Sequence, residues 1–256
     1  MIDTEMEFPV SSLSGKRALV TGASRGIGAA IAQRLAQDGA DVAITFERSQ
    51  ERADEVVRAI EALGRKAVAI QADSADPAAV KAAVDRAAAE LGGLDILVNN
   101  AGIARGVGPV EGWTLEDIDQ LLAVNVRGVI VASQAAAAHL PRGGRIINIG
   151  SNLAELVPFA GITLYAMTKS ALLSFTKGLA RDLGPKGITV NLVHPGSTDT
   201  DMNPASGEGA DAQRGRMAIQ EYGRPEDIAS AVAWLASPEA RFANGAGFVV
   251  DGAANA

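Results

Sequence analysis

Two side chains four residues apart, Tyr165 and Lys169, have the clearest capacity for proton transfer in this sequence. In a helix, residues at this spacing share one face about one turn apart. At about 4 Å and an effective dielectric of about 20, an ammonium favours a phenolate by about 4 kcal/mol. That is roughly three pK units below a starting value of about 10, so the pair predicts a general acid or base near neutral pH. By itself, the same spacing also fits a half-exposed helix face without chemistry.

A glycine-rich turn follows the first β-branched run and has the sequence Thr21-Gly22-Ala23-Ser24-Arg25-Gly26-Ile27-Gly28. Glycines there let a phosphate approach the backbone, and amides at the start of the following helix face it. The spacing Gly-x-x-x-Gly-x-Gly differs from the Gly-x-Gly-x-x-Gly pattern of many dinucleotide-binding folds. The turn therefore indicates a cofactor phosphate site, with a purely structural turn as the alternative.

Short β-branched runs alternate with longer Ala- and Leu-rich runs along the rest of the chain. Strands are predicted at 17–21, 41–46, 67–72, 95–99, 145–149, 189–194 and 247–251. Helices are predicted at 26–37, 50–63, 77–91, 115–140 (one helix or two), 165–183 and 225–235. This alternation predicts an α/β fold with a doubly wound parallel sheet of about seven strands and helices on both faces. No linker or repeat divides it, so we expect one domain at 14–256 after an N-terminal arm at 1–13.

Composition excludes several classes of function. The chain has 256 residues, 48% of them hydrophobic, which is enough for a substantial core. A formal net charge of −7 argues against nucleic-acid binding. The absence of cysteine excludes disulfides and thiolate chemistry. The two histidines, His139 and His194, do not have the spacing of a metal site.

The beginning of the chain is acidic, the reverse of a signal peptide's basic start. No apolar stretch approaches the roughly 20 residues that span a membrane. We therefore expect a soluble, cytoplasmic protein that does not bind membranes.

Several short motifs occur together in one order. They are Thr21-Gly22-x-x-x-Gly26-x-Gly28, Asn99-Asn100-Ala101-Gly102, Asn125 in Val-Asn-Val, Ser151, Tyr165-x-x-x-Lys169 and Pro195-Gly196. Over roughly residues 14–252 the chain thereby resembles the short-chain dehydrogenase/reductase family, in particular compact single-domain members similar to 3-oxoacyl-[acyl-carrier-protein] reductase. The resemblance implies a Rossmann-like fold and reversible NADP(H)-dependent reduction of a ketone or 3-oxoacyl-type carbonyl to a secondary alcohol. A dinucleotide-sensing protein without turnover, on the same fold, is the alternative.

The resemblance also assigns catalytic roles. Tyr165 would exchange a proton with the substrate oxygen, and Lys169 would hold the nicotinamide ribose and keep the phenol's pKa low. Ser151 would hydrogen-bond the substrate oxygen, and Asn125 would hold a water connecting Lys169 to solvent. Relatives often place the serine one residue later, where this chain has Asn152; we prefer Ser151, because a hydroxyl both donates and accepts, and expect Asn152 to face the substrate pocket.

The end of the second predicted strand decides the choice of cofactor. An acidic residue there accepts from the ribose hydroxyl of NAD and repels the 2′-phosphate of NADP. This chain has Phe46 instead, followed by Arg48 and Ser49, and the resemblance places Arg25 near the same phosphate. Guanidiniums bind phosphate bidentately, so NADPH/NADP+ is predicted over NADH. Glu47 is the exception, because it could pair with Arg48 or replace the missing acid.

The resemblance adds further contacts. The remaining expected cofactor-binding residues are Asp73, Ser74, Asn100, Ala101, Gly102, Pro195, Gly196, Thr198 and Thr200. Asp73 could instead cap the next helix. The Gly-rich, charged segment 197–220 suits a substrate lid over a small-molecule carbonyl. In relatives the helices at 115–140 and 165–183 form a dimer interface, so a homotetramer is expected.

Overall fold

Seven parallel strands form one sheet in the computed structural model, which describes residues 13–256. The strands are β1 (Arg17–Val20), β2 (Asp41–Phe46), β3 (Ala67–Gln71), β4 (Ile96–Asn99), β5 (Arg145–Ile149), β6 (Thr189–Pro195) and β7 (Gly247–Val250). Their order across the sheet is β3-β2-β1-β4-β5-β6-β7. The direction of winding reverses between β1 and β4, so the crevice at their carboxyl ends is where ligands bind in such folds.

Helices cover both faces of the sheet. They are α1 (Gly26–Gln37), α2 (Gln50–Glu61), α3 (Pro77–Leu91), α4 (Leu115–Leu122), α5 (Val129–Ala136), α6 (Thr163–Leu183), α7 (Ala210–Arg214) and α8 (Pro225–Ala236). Side chains alternate across each strand: Ala18 and Val20 join the core under α1, α2 and α8, whereas Leu19 joins the core under α3, α5 and α6. From residue 13 onward, no helix has both the length and the apolarity to cross a bilayer.

The predicted single-domain, doubly wound, Rossmann-like fold is confirmed. Of the predicted arm, residues 1–12 lie outside the described residues, but Leu13 belongs to the core: it is fully buried, and its amide donates to the Asp38 carbonyl at 2.6 Å. The helix predicted from 165 begins at Thr163, so Tyr165 lies within its first turn.

The helix predicted at 115–140 divides into α4 and α5, joined by a π-helical turn at Ala123–Gly128. Asn125 lies in this turn, and its side-chain amide exchanges two hydrogen bonds with the backbone of Ile103, each 2.9 Å. At Gly128 the turn approaches the Ser74 carbonyl so closely that a Cβ would lie 2.6 Å from that oxygen. The extra residue in the helical ladder therefore aims an amide at the loop after β4, as π-bulges do at functional sites.

The chain after β7 contains an alanine in a conformation that favours glycine. Gly252 and Ala253 have φ values of +63° and +62°. A Cβ in this left-handed backbone is strained, so Ala253 occupies a position that suits a second glycine.

Ala253→Gly is expected to raise the free energy of unfolding by about 1 kcal/mol, because it removes this strain. For a chain of this size that corresponds to a rise in Tm of roughly 2–4 °C. Ala254→Gly is the matched control, since the neighbouring residue has no positive φ. Thermal unfolding of both variants checks the prediction, and equal shifts would contradict it.

Candidate active site

The predicted site residues converge at the carboxyl ends of the central strands. The glycine turn follows β1, Asn100–Gly102 follow β4, Ser151 follows β5 and Gly196 follows β6. Parallel pairing brings these four strand ends to one edge of the sheet. The helix α6, with Tyr165 and Lys169, packs against β6 and the short turn after Ser151.

The Ser151 hydroxyl and the Tyr165 phenol are neighbours at this edge. Ser151 is buried in extended backbone (φ −165°, ψ 149°), and its hydroxyl oxygen accepts from the Leu153 amide at 3.2 Å. A hydrogen bond from the same hydroxyl lowers the pKa of the Tyr165 phenol. With one lone pair engaged by the backbone, the Ser151 hydroxyl keeps its proton free to donate to the phenol.

The expected direction of the Tyr165 pKa shift is wrong. Desolvation raises the pKa of the phenol, and the hydrogen bond from Ser151 lowers it only in part. The lysine does not approach as closely as a helical pair permits: its Nζ lies 5.7 Å from the centre of the tyrosine ring. Burial of an uncharged acid thus outweighs the attraction, and the phenol retains its proton at neutral pH.

Lys169 is itself buried, with 5% of its surface exposed. Its Nζ donates to the Ile149 carbonyl at the end of β5, at 2.9 Å. Burial lowers the pKa of this ammonium from 10.5 to about 8. A lysine so placed is still mainly charged at neutral pH and titrates just above it.

Asn125 and Lys169 meet at Gly102. A Cβ on Gly102 would lie 3.4 Å from Lys169 Nζ and 3.5 Å from Asn125 Oδ1. Asn125 also donates to Thr168 Oγ1 at 3.1 Å, which ties the π-helical turn to α6. Asn152, the alternative to Ser151, donates from its side-chain amide to the Asp251 carboxylate at 3.4 Å. The expectation that Asn152 faces the substrate pocket stays a prediction.

The glycine turn packs on the loop after β4. A Cβ on Gly22 would lie 2.8 Å from the Ala101 Cα, and one on Gly28 would collide with the Asn100 amide. That amide donates to the Thr21 and Gly22 carbonyls at 2.9 and 3.0 Å, so it braces the turn.

The first amides of α1 suit an anion. In residues 13–256 no side chain caps this 12-residue helix at Arg25, and no acidic residue occupies its first turn. Helix amides without such partners, behind a glycine turn, have the donor chemistry that a pyrophosphate needs. Ser24 and Ile27 lie in this segment, and the start of the lid reaches it, since the Thr200 methyl would lie 3.4 Å from a Cβ on Gly26.

Two arginines share a carboxylate beside the turn. Arg25 and Arg52 contact the same oxygen of Asp201 at 2.9 and 2.5 Å. Arg48 pairs with Glu47 at 2.8 Å, as the sequence had left open. Arg52 and Asp201 were missed, although Arg52 lies in the first turn of α2, four residues after Arg48.

The other expected residues lie around the same edge. Asp73 does not cap α3: its carboxylate accepts from the Ala75 amide at 2.8 Å, and the cap is Asp76. Thr198 is buried, with its hydroxyl on the Gly196 carbonyl at 3.1 Å. Ser49 precedes α2 and Pro195 ends β6.

No cluster of three or more potential metal ligands occurs among the described residues. His139 pairs with Asp85 at 2.7 Å.

Burial of Lys169 gives a pH dependence to stability. Between about pH 8 and 10.5 the unfolded chain binds the lysine proton and the folded chain releases it, so the free energy of unfolding rises with pH across this window. The free energy of unfolding of wild type minus that of Lys169→Met should rise as the pH passes through 8. Below pH 7 this difference should not change with pH. Urea unfolding measures it, and Lys177→Met, which removes an exposed lysine of α6, is the control. If the difference between wild type and Lys177→Met rose with pH by the same amount, the rise could not be assigned to Lys169.

Known proteins resemble this chain in sequence and in fold. A family model described as enoyl-(acyl carrier protein) reductase matches residues 22–255. A short chain dehydrogenase from Burkholderia cenocepacia J2315, solved in complex with NADP, is 68% identical with a TM-score of 0.94; the match covers 95% of this chain and 99% of that one. A blue fluorescent protein from a metagenomic library, solved with NADPH, is 55% identical with a TM-score of 0.94, over 96% and 100% of the two chains.

A curated relative carries a different description. The cyclic-di-GMP-binding biofilm dispersal mediator protein of Escherichia coli strain K12 is 45% identical over 245 residues, which are 95% of this chain and 99% of the relative. The matches extend over nearly the whole length at identities far above those that a shared fold alone requires. The chain belongs to the short-chain dehydrogenase/reductase family of oxidoreductases.

Proposed function

We propose that this protein is an NADP(H)-dependent oxidoreductase that reduces a ketone or 3-oxoacyl-type carbonyl to a secondary alcohol, reversibly. The observation that carries the proposal is that Ser151, just after β5, meets Tyr165 and buried Lys169 of α6, the helix that packs against the turn following Ser151. A raised phenol pKa suits a proton donor, which is the role that reduction requires.

The residues around the glycine turn fit the cofactor. The amides that begin α1 would hold the pyrophosphate, and Arg25 and Arg52 would hold the 2′-phosphate in place of the Asp201 carboxylate. Lys169 would hold the nicotinamide ribose. When bound, the nicotinamide supplies or accepts the hydride. The solved relatives with NADP and NADPH support this assignment.

The chain's own groups would manage the charge on the substrate oxygen. Ser151 turns its proton from the phenol to that oxygen, and Tyr165 donates its phenolic proton there as the oxygen becomes negative. The Lys169 ammonium favours the phenolate that remains, which opposes the effect of desolvation on the phenol's pKa. In the direction of oxidation the same groups act in reverse.

The substrate is inferred to be a small carbonyl compound under the lid. Assembly into a homotetramer through α4, α5 and α6 is part of the proposal; Ile130 and Met167 on these helices are 43% and 46% exposed. The cytoplasmic location remains a prediction.

A second candidate rests on the relative described as binding cyclic-di-GMP. A cyclic dinucleotide presents two phosphates, which the α1 amides and the Arg25–Arg52 pair would contact. On that reading the protein is a sensor, and Ser151, Tyr165 and Lys169 together would have no role in binding.

NADPH oxidation across a ketone panel tests the proposal. Wild type is expected to oxidise NADPH with at least one carbonyl, and Tyr165→Phe to lose turnover while still binding NADPH. Ser151→Ala should lower kcat at least about tenfold, because it removes a donor to the developing oxyanion. Ser174→Ala, which removes an exposed hydroxyl from α6, is the matched control and should leave kcat nearly unchanged.

Two results would count against it. Binding of NADPH without oxidation by any carbonyl, with competition by cyclic-di-GMP, would favour the sensor. Near-normal turnover of Ser151→Ala would remove this hydroxyl from the mechanism.

The Asp201 carboxylate competes for the two arginines that we assign to the 2′-phosphate. Asp201→Asn is therefore expected to bind NADPH about threefold more tightly, a modest gain because exposed ion pairs contribute little. The affinity for NADH, which lacks this phosphate, should not change. Titration followed by nucleotide fluorescence measures both affinities.

Glu208→Gln is the control for Asp201→Asn, because it removes the same charge from an exposed lid position outside the ion-pair cluster. Equal tightening by the two substitutions, or equal tightening of NADPH and NADH, would show a general effect of charge instead of release of the arginines.

A further inference from the structure

His194 is a polar side chain that the proposed mechanism does not use. It lies on β6 immediately before Pro195 and is fully buried. Its ring nitrogen Nδ1 lies 2.8 Å from the backbone carbonyl oxygen of Ser151. Because a carbonyl only accepts, Nδ1 carries the proton and donates it to this oxygen.

The second ring nitrogen has no such partner. Nε2 of His194 is buried, and no residue between 13 and 256 offers it a hydrogen bond. Leaving a buried acceptor unpaired is unfavourable. An apolar side chain would fill the same space without that penalty, so the imidazole here is explained by what its Nδ1 does.

Two glycines make room for the ring. A Cβ on Gly150, at the end of β5, would lie 2.9 Å from Nδ1, and a Cβ on Gly247, at the start of β7, would lie 3.1 Å from Nε2. Both contacts are closer than a side chain tolerates without displacement of its neighbour. Gly150 and Gly247 thus leave a slot across three adjacent strands that the imidazole fills.

The slot lies where the backbone ladder ends. The last bond from β5 to β6 runs from the Gly150 amide to the Val193 carbonyl at 2.7 Å. Pro195 has no N–H, so β6 provides no backbone donor at the next step. In its place the His194 ring donates a hydrogen bond to the chain that follows β5, at the backbone carbonyl of Ser151.

We propose that His194 is a positioning residue for Ser151: its Nδ1–H fixes the serine backbone and thereby directs the hydroxyl at Tyr165. The inference rests on the proposed function for its kinetic consequence. Its structural consequence, the hydrogen bond between Ser151 and Tyr165, can be measured without turnover. Small displacements of a catalytic group suffice to lower a rate.

Two amide side chains distinguish positioning from packing. In His194→Asn the amide nitrogen takes the place of Nδ1 and keeps the donor, whereas in His194→Gln it reaches the place of Nε2. With the ketone reduced by wild type, His194→Gln should lower kcat about tenfold or more with little change in KM for NADPH. His194→Asn should remain within about threefold of wild type.

A double-mutant cycle separates an effect through Ser151 from a general one. In a Ser151→Ala background, His194→Gln should lower kcat by less than about twofold, because the hydroxyl that it misplaces is absent. The same loss in both backgrounds would overturn the proposal, and so would equal kcat values for His194→Asn and His194→Gln.

The spectroscopic test needs no substrate. The chain has 2 tyrosines, Tyr165 and Tyr222, so protein with ¹³C-labelled phenol carbons gives two signals, and Tyr222→Phe assigns them. Ser151→Ala should shift the Tyr165 signal by removing its hydrogen bond. His194→Gln should shift it in the same direction, and His194→Asn should leave it in place. An unmoved Tyr165 signal in His194→Gln would overturn the proposal even if no ketone is reduced.

A milder substitution tests the proposal if the His194 variants do not fold. Gly247→Ala places a methyl against Nε2 and should shift the Tyr165 signal as His194→Gln does. Val249→Ala, on the same strand beside His194 in register, is the control and should not shift it. Equal signals in the two strand variants would count against the positioning role.

Discussion

A lysine ammonium held in the protein interior is the constraint on which this site depends. Lys169 is 95% removed from solvent contact, as its 5% exposure shows, and its hydrogen-bond partner is a carbonyl at the end of a strand. Burying a charge is unfavourable unless polar groups surround it. The carboxyl edge of a parallel sheet offers such groups, because the carbonyl of Ile149 is the last of β5 and points out of the ladder.

The same burial works in opposite directions on the two members of the pair. It lowers the pKa of the lysine to about 8 and raises that of the tyrosine. Each shift favours the uncharged form, and the attraction between the charged forms opposes both. The structure therefore holds a proton on Tyr165 and keeps Lys169 close to its titration point, which is a better arrangement for donating a proton than for abstracting one.

Local pattern was sufficient to predict much of the fold and part of the site. Alternating β-branched and Ala-rich runs located the seven strands, because each strand has its own apolar periodicity. Features that depend on distant contacts were not predictable in this way. Arg52 and Asp201 are 149 residues apart, and His194 and Ser151 are 43 apart. The pKa direction of Tyr165 also failed, since spacing along a helix sets a possible distance but not the solvent around the phenol.

The lid, residues 197–220, is held to the rest of the protein by contacts of different strength. A small core holds it, in which Ala210 and Met217 of the lid and Tyr222 just after it are 4%, 3% and 9% exposed, and Gln213 bonds with both Ser197 and Asn203. Its link to the glycine turn is the Asp201 carboxylate, which is exposed along with both of its arginines. Exposed ion pairs contribute little beside buried apolar contacts. The ion pairs of Asp201 with Arg25 and Arg52, the arginines that we assign to the phosphate, are therefore weaker contacts than those of the core. An anion that binds these two arginines would displace the Asp201 carboxylate and leave the small apolar core intact.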